Sequence, residues 1–460
     1  MRGRALRLRS GTGMLRSWAG KIRSGTGKVR SGTGYLIYGI YSLSLTDYAF
    51  MKMDLDFFLE ILGIDSTSGQ ERGLAEFLRG RLGMPGQAVP FDSAQGTAFD
   101  SAQGTAFDSA QGTAFDSAQG PGGSAPLTDR TTAPLTDRAT GPAVHEFEVG
   151  DGTVNLLLDW SGTGKPSFVF CTHLDTVPPY IAPSVELVKE GDLLPDGKKA
   201  LKDDTIVKGR GSCDAKGQIF SMFCACQKLS QEGYKDFGLL LLAGEETGSH
   251  GAKAYTKNNP GGDFVLVGEP TDNCLASASK GTKAFEVTIP GKACHSGYPE
   301  HGASAVERFV DLMNTLKLVE FPDDPVLGPT TWNVGDLSSS NPQNILSPET
   351  RFRIYFRTTF ATDELIQNKL LGASPKGSVI QAFGGDTPMR YFSEVPGIEA
   401  KAVSFGSDAP RLDKFAQRAI CGPGSILTAH TDKEYVLVSD LKAAVENDIK
   451  IFKTVTKERL

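Results

Sequence analysis

Residues 167–175, Ser-Phe-Val-Phe-Cys-Thr-His-Leu-Asp, pass from an apolar run directly into a histidine and an aspartate. A short continuous apolar run is typical of a strand buried on both faces of a sheet. Further runs of this kind lie at 154–158, 238–243 and 264–267, and helical patterns lie between them at 218–231 and 250–258. This alternation predicts an α/β fold with a mixed, mostly parallel sheet covered by helices.

The pattern changes from about residue 281. Segments of strand, helix, strand, strand, helix and strand character follow at 283–289, 303–316, 330–334, 350–358, 362–371 and 378–383. This order is the ferredoxin-like split unit. From about residue 393 the earlier pattern resumes, so we expect a small α+β domain (281–392) inserted between two parts of a catalytic domain (51–280 and 393–460).

Short tandem repeats interrupt the N-terminal part. Arg-Ser-Gly-Thr-Gly recurs within residues 9–34, an octad beginning Phe-Asp-Ser-Ala-Gln-Gly recurs from Phe91, and a second octad starts at Ala125 and Ala133. Solenoid repeats usually need ~20 residues or more, so units this short cannot bury a face. We expect 91–142 to be a low-complexity insertion and 1–50 a disordered basic extension, with the folded protein beginning near Met51.

Charge and cysteine content exclude several classes of protein. Nine basic and no acidic residues lie in 1–34; of the 48 basic residues 39 then remain against 54 acidic ones, a net charge of −15. An acidic body repels nucleic acid and anionic membranes, and no apolar run reaches the ~18 residues of a membrane span. Seven scattered cysteines indicate free thiols and a cytoplasmic location.

Acidic and imidazole side chains follow several of the predicted strands. They are His173, Asp175, Asp214, Glu245, Glu246, Glu269 and His430. Open α/β sheets form their ligand crevice at the carboxyl ends of strands. So many carboxylates in one crevice would repel one another unless cations neutralised them.

These residue types without cysteine suit a catalytic zinc site, and two cations ~3.5–4 Å apart can activate water and polarise a carbonyl. Taken singly, each residue has a simpler interpretation. Glu245 and Glu246 could start a solvated helix, Asp214 could cap one, and His173 could be a packed histidine. Their conjunction favours a two-metal site in which one carboxylate bridges.

The motifs at 172–178, 209–217, 244–249, 268–271 and 429–434 resemble those of the acetylornithine deacetylases, succinyl-diaminopimelate desuccinylases, aminoacylases and glutamate carboxypeptidases. The resemblance covers nearly all of 51–90 and 143–460 and is greatest to acetylornithine deacetylase-like members. It implies a phosphorylase/hydrolase-like catalytic domain, a ferredoxin-like lid that also forms a homodimer, and two Zn²⁺, for which Co²⁺ can substitute.

Carried over by position, the resemblance assigns His173 and Glu269 to one zinc and Glu246 and His430 to the other. Asp214 would bridge them, followed by a cis peptide.

The same comparison gives Glu245 the role of general base, which takes a proton from the attacking water and passes it to the leaving amine. Asp175 would orient the ring of His173.

In the lid, the motif at 291–299 implies that His295 of one subunit stabilises the oxyanion in the partner's site, although an ordinary loop histidine is the alternative. Asn344 and Arg357 would hold the substrate carboxylate, with Arg351 and Arg353 as rivals to Arg357. Gly424 and Ser425 would also contact substrate.

The sequence therefore predicts a zinc-dependent amidohydrolase acting on an N-acyl amino acid, such as N-acetylornithine or a related basic amino acid in arginine or lysine biosynthesis. Dipeptidase, carboxypeptidase or succinyl-diaminopimelate desuccinylase activity on the same site is the alternative. A non-catalytic, metal-stabilised binding protein is a third, and the presence of Glu245 argues against it.

Overall fold

The computed structural model describes residues 55–82, 141–259 and 261–457. The predictions for the 1–50 extension, the start at Met51 and all but the last two positions of the 91–142 insertion lie outside these residues. The α-helices are α1 (55–62), α2 (Arg72–Leu82), α3 (Lys216–Gln231), α4 (His250–Asn258), α5 (Ala305–Leu318), α6 (Ile366–Ala373) and α7 (Val438–Lys457).

The strands form four sheets among the described residues. They are β1 (Ala143–Gly150), β2 (Thr153–Asp159), β3 (Phe168–His173), β4 (Ser184–Val188), β5 (Asp204–Lys208), β6 (Phe237–Leu242), β7 (Phe264–Val267), β8 (Leu275–Ser279), β9 (Gly281–Pro290), β10 (Thr331–Ser338), β11 (Glu349–Thr358), β12 (Val379–Asp386), β13 (Met389–Arg390), β14 (Ala400–Val403), β15 (Gln417–Ile420) and β16 (Tyr435–Leu437).

The largest sheet has the strand order β1-β2-β6-β3-β7-β15. Its β6, β3, β7 and β15 are parallel neighbours, and β1 and β2 add an antiparallel edge. This is the predicted mixed, mostly parallel sheet.

Alternating side chains of β3 explain why this sheet is covered on both faces. Phe168 and Phe170 belong to the core cluster that includes residues of α2, α3 and α7, whereas Val169 and Cys171 belong to the cluster that includes residues of α4. Full burial of an aliphatic or aromatic side chain contributes roughly 1.5–3 kcal/mol. The sequence of this strand is therefore a continuous apolar run. The predicted apolar run covers 167–171, and the strand continues to His173.

The second sheet, β10-β11-β9-β12, is antiparallel throughout, and its core cluster includes residues of α5 and α6. The strand and helix order is the predicted ferredoxin-like unit, and we refer to it as the lid. Several boundaries in this unit differ from the prediction by a few residues. The helix expected over 362–371 begins as a 3-10 turn at Asp363–Leu365, where the Asp363 carboxylate accepts a hydrogen bond from Thr358 Oγ1 at 2.6 Å.

Two smaller sheets, β13-β8-β14 and β16-β5-β4, complete the topology. In the second, antiparallel pairing of β5 with β16 places Lys208 opposite Tyr435. The loops that follow β5 and precede β16 therefore leave the sheet side by side.

All seven cysteines are free, as the sequence predicted. Among the described residues, no helix has both the length and the apolar character needed to cross a bilayer.

Asp448 on α7 is buried, and its Oδ2 has no hydrogen-bond partner among the described residues. Burial raises the pKa of this carboxyl well above its ordinary value of 3.8. The folded state therefore binds the proton more tightly than the unfolded state does. This contribution to stability is complete below about pH 4 and is lost as the pH rises through the folded-state pKa.

We expect Asp448→Asn to raise the free energy of unfolding at pH 7 by about 1–3 kcal/mol, because the asparagine side chain carries no charge that would have to be buried. The melting temperature should rise accordingly. The gain should shrink as the pH falls toward and below the ordinary pKa of 3.8, because the Asp448 carboxyl of the unfolded chain then also takes up a proton. Thermal unfolding across this pH range measures the effect. Glu446→Gln, on the exposed face of the same helix, is the control, and a gain of equal size at every pH would refute the assignment.

Candidate metal centre

The predicted ligands come from loops and strand ends on one side of the large sheet. His173 is the last residue of β3, and Glu246 and Glu269 follow β6 and β7. Because β3, β6 and β7 are parallel neighbours, their carboxyl ends meet at the same edge. Asp214 and His430 reach this edge from the loops after β5 and before β16. A cis peptide follows Asp214, as expected.

Asp214 lies between two imidazoles. Its Oδ1 is 3.1 Å from His173 Nε2, and its Oδ2 is 3.3 Å from His430 Nε2. His430 Nε2 also lies 2.9 Å from Glu246 Oε1. His173, Asp214 and Glu246 each offer a ligand atom, and these atoms lie within 4.8 Å of one another. Each oxygen of one carboxylate thus faces a different histidine, which is the arrangement a bridging ligand requires.

Glu269 supplies an independent sign that a cation belongs here. The side chain is buried, and its Oε1 has no hydrogen-bond partner within the part of the chain that the structure describes. Burial raises the pKa of Glu269 well above its ordinary value, and the nearby charges of Glu245 and Asp214 raise it further. A buried carboxylate oxygen without a donor is costly, and a divalent cation would remove that cost.

The histidines and Asp214 form charge pairs. Burial opposes the charged forms, yet hydrogen bonds with Asp175 and Asp214 raise the pKa of His173, and those with His173 and His430 lower the pKa of Asp214. Hydrogen bonds to Asp214 and Glu246 raise the pKa of His430 to about 10. Metal binding would displace these protons. Imidazole and carboxylate donors together fit Zn²⁺.

Asp175 fixes the turn that carries the two glutamates. Its Oδ1 accepts a hydrogen bond from the backbone N–H of Glu245 at 2.9 Å, and its Oδ2 accepts one from that of Glu246 at 3.1 Å. Its carboxylate also lies 3.5 Å from Nδ1 of the His173 ring, and the same Nδ1 lies 2.9 Å from the Asp175 backbone oxygen. The carboxylate therefore faces both the His173 ring and the pair of N–H donors.

Glu245 is half-buried beside the ligands. Burial raises the pKa of its carboxyl well above the ordinary value, and the charge of Asp408 raises it further. A glutamate with a raised pKa is suited to proton transfer near neutral pH.

Sequence reasoning missed two residues at this site. Ser68, just before α2, donates its hydroxyl to Asp175 Oδ2 at 2.8 Å. Asp408 is buried next to the Ser249 hydroxyl, and its Oδ1 has no hydrogen-bond partner in the described segments. Asp408 closely follows β14 and could have been found by the strand-end criterion that found Glu269. Ser68 carries no comparable signal.

The lid residues His295 and Asn344 lie together on exposed loops. His295 Nδ1 accepts from the Gly297 N–H at 3.1 Å, and the Ser296 N–H donates to the Asn344 carbonyl at 2.9 Å. No contact found among the described residues joins either side chain to the five ligands. The role of His295 in a partner's site and that of Asn344 in holding the substrate carboxylate stay predictions.

Arg357 differs from its two rivals on β11. Arg351 and Arg353 are exposed and lie 2.6 Å from Glu349 and 3.1 Å from Asp336, respectively. Arg357 is half-buried, and its Nη1 lies 3.8 Å from where a Cβ would stand on Gly406. It therefore faces the segment that leads to Asp408.

Gly424 and Ser425 pack against Cys213, the residue before Asp214. Gly424 has φ of 78°, and a Cβ there would collide with the side chain of Cys213. Only glycine fits this position without strain. The Ser425 hydroxyl is buried without a hydrogen-bond partner among the described residues, so it could receive a polar group.

The family profile of Peptidase family M20/M25/M40 matches residues 169–452. The chain belongs to this family. A probable carboxypeptidase of Aspergillus flavus is 29% identical to this M20/M25/M40 member over 329 residues, which cover 65% of this chain and 75% of the relative.

Solved structures agree on the fold of this family member. A tripeptidase from Staphylococcus aureus superposes with a TM-score of 0.60 at 18% identity, covering 88% of this chain and 98% of that one. An M20 metallo-carboxypeptidase from Sulfolobus solfataricus gives a TM-score of 0.57 at 14% identity, covering 87% and 98%. The predicted family is confirmed at this level, and the relative described above is a carboxypeptidase by name and not a deacetylase.

Metal content tests the ligand assignment in this M20/M25/M40 member. We expect Asp214→Asn to weaken the binding of both zinc ions, because each oxygen of Asp214 faces a different half of the centre. Glu246→Gln and Glu269→Gln should each weaken mainly the binding of one zinc ion. Zinc stoichiometry after dialysis, measured by elemental analysis, distinguishes these outcomes. Asp432→Asn, an exposed aspartate in the His430 loop, is the control. Unchanged zinc content in Asp214→Asn would exclude a bridging role.

Proposed function

We propose that this protein is a zinc-dependent peptidase that removes the C-terminal residue of short peptides, with carboxypeptidase or dipeptidase specificity. The observation that carries the proposal is the placement of Asp214 between His173 on one side and His430 with Glu246 on the other. Glu245 lies beside this group with a raised pKa.

The chemistry follows from the positions of these groups. When bound, two zinc ions would polarise the scissile carbonyl and lower the pKa of water. Glu245 would take the proton from the attacking water and deliver it to the leaving amine, because a carboxylate beside the ligands that is not itself assigned to a metal can accept a proton and return it. Asp175 accepts a hydrogen bond from the backbone N–H of Glu245 and so fixes the position of the residue that carries the base. The carboxylate of Glu245 does not take part in this hydrogen bond.

Substrate selection is proposed to rest on Arg357. Its guanidinium can bind a substrate carboxylate through two parallel hydrogen bonds. It lacks the close carboxylate partner that occupies Arg351 and Arg353 in the described structure. A C-terminal residue presents such a carboxylate next to the scissile amide, and the Aspergillus flavus relative is a probable carboxypeptidase.

N-acyl amino acid hydrolysis is the second candidate. The motifs at 172–179 and 244–249 resemble those of acetylornithine deacetylases. An N-acyl amino acid also carries a carboxylate next to the scissile amide, so the same groups would act on it. The two substrate classes differ at the acyl side, where a dipeptide has a free ammonium group.

A substrate panel on zinc-loaded protein separates the candidates. We expect dipeptides with a free carboxylate to be hydrolysed faster than N-acetylornithine and other N-acetyl amino acids. The matched dipeptide amides should react at least about tenfold more slowly, since a hydrogen bond to a charged group contributes roughly 1.5–3 kcal/mol. Faster turnover of N-acetylornithine would support the second candidate. No hydrolysis of any class by protein with bound zinc would contradict both.

Glu245→Gln tests the proposed base. The change keeps the size of the side chain and removes its ability to accept the proton, so kcat should fall by about 10²–10⁴-fold. Zinc content should stay at the parent level, because Glu245 is not assigned as a ligand. Thr247→Ala, exposed in the same turn, should change kcat little. Loss of zinc from the Glu245→Gln protein would show that the residue is a ligand.

A further inference from the structure

A buried ion pair lies behind the metal centre. Arg210 Nη1 and Glu434 Oε2 are 2.6 Å apart, and each side chain is at most 2% exposed. The two residues are 224 positions apart in the chain. Burying two charges costs several kcal/mol per ion before their attraction is counted, so such a pair is poor evidence of stability by itself. Its contacts indicate what else it does.

Glu434 holds the backbone of the bridging aspartate. Its Oε1 accepts hydrogen bonds from the N–H groups of Cys213 and Asp214, at 3.1 and 3.2 Å. One carboxylate therefore contacts Arg210 with one oxygen and the Asp214 loop with the other.

Arg210 holds the loop of the other ligand. Its Nη1 also donates to the Thr431 carbonyl at 3.2 Å, one residue after His430. Its Nε donates to the Pro179 carbonyl at 3.3 Å. Only the planar fork of an arginine can serve a carboxylate and two carbonyls in these directions at once.

The His430 loop needs such support. His430 has φ of 63°, a left-handed conformation that is uncommon for a residue with a side chain. A conformation of this kind persists when surrounding contacts impose it. The hydrogen bond from Arg210 to the adjacent Thr431 carbonyl is one such contact.

We infer that the Arg210–Glu434 pair positions Asp214 and His430 relative to each other and thereby sets the zinc affinity of the site. Both loops contact the pair, and their ligand atoms are 3.3 Å apart. Arg210 and Glu434 are positioning residues, since no contact of either reaches a ligand side chain in the described structure. The inference rests on the proposed metal centre and does not depend on the substrate.

Zinc affinity of the full chain, measured by competition with a chromophoric chelator, tests this inference. Glu434→Gln keeps an oxygen for the two N–H donors and loses the charge pair, and Arg210→Lys keeps the charge and loses the fork. Arg210→Gln with Glu434→Gln leaves no unpaired buried charge. We expect zinc affinity to fall about 10–100-fold in these variants, as for other residues that orient metal ligands.

Melting temperature and circular dichroism of the zinc-free proteins separate positioning from general stability. Variants that keep the parent fold without zinc, yet bind zinc more weakly, support the inference. Glu186→Gln is the control, because it breaks the 2.7 Å pair with Lys208 on the same small sheet without touching either loop. Its zinc affinity should equal that of the parent.

Two results would overturn the inference. One is zinc affinity within about twofold of the parent in every folded variant, well short of the loss expected for a residue that orients a ligand. The other is loss of fold in all three variants, since the pair would then hold the fold and not the ligands. Failure of the parent protein itself to bind zinc would count against the proposed metal centre and is distinguishable from both.

Discussion

The carboxylate of Asp214 is shared between two imidazoles, and the rest of the site is arranged around it. Glu246 and Glu269 add negative charge at the same sheet edge, where burial makes repulsion strong. Such a group is stable only with positive charge among its members. In the described structure the histidines supply it, and two divalent cations would supply more.

Most of this centre could be predicted because local sequence determines where a buried strand ends. Phe168 and Phe170 face one core cluster and Val169 and Cys171 face the other, so the run must be a strand covered on both faces. Its polar end at His173 is then placed at the crevice of a parallel sheet. The same reasoning places Glu246 and Glu269, which follow β6 and β7.

The residues that hold the ligands could not be predicted, because their roles depend on tertiary contacts. Ser68 reaches Asp175 from a segment more than a hundred residues away. Arg351, Arg353 and Arg357 lie on the same face of β11, so the strand period cannot show which of them would bind a substrate carboxylate. Only the ion pairs of Arg351 and Arg353 in the folded structure distinguish Arg357 from them. Arg210 and Glu434 are 224 positions apart in the chain, so only the folded structure shows that they form a pair.

Charge at the centre also bears on the choice between substrates. The carboxylates gathered there are Asp175, Asp214, Glu245, Glu246, Glu269 and Asp408. Two divalent cations neutralise four negative charges, and burial protonates some of the others. Any carboxylate that stays ionised attracts a cationic group of a bound substrate. A dipeptide has an ammonium group on the acyl side of its scissile amide and an N-acetyl amino acid does not, and this difference is one reason why we propose peptide hydrolysis ahead of deacylation.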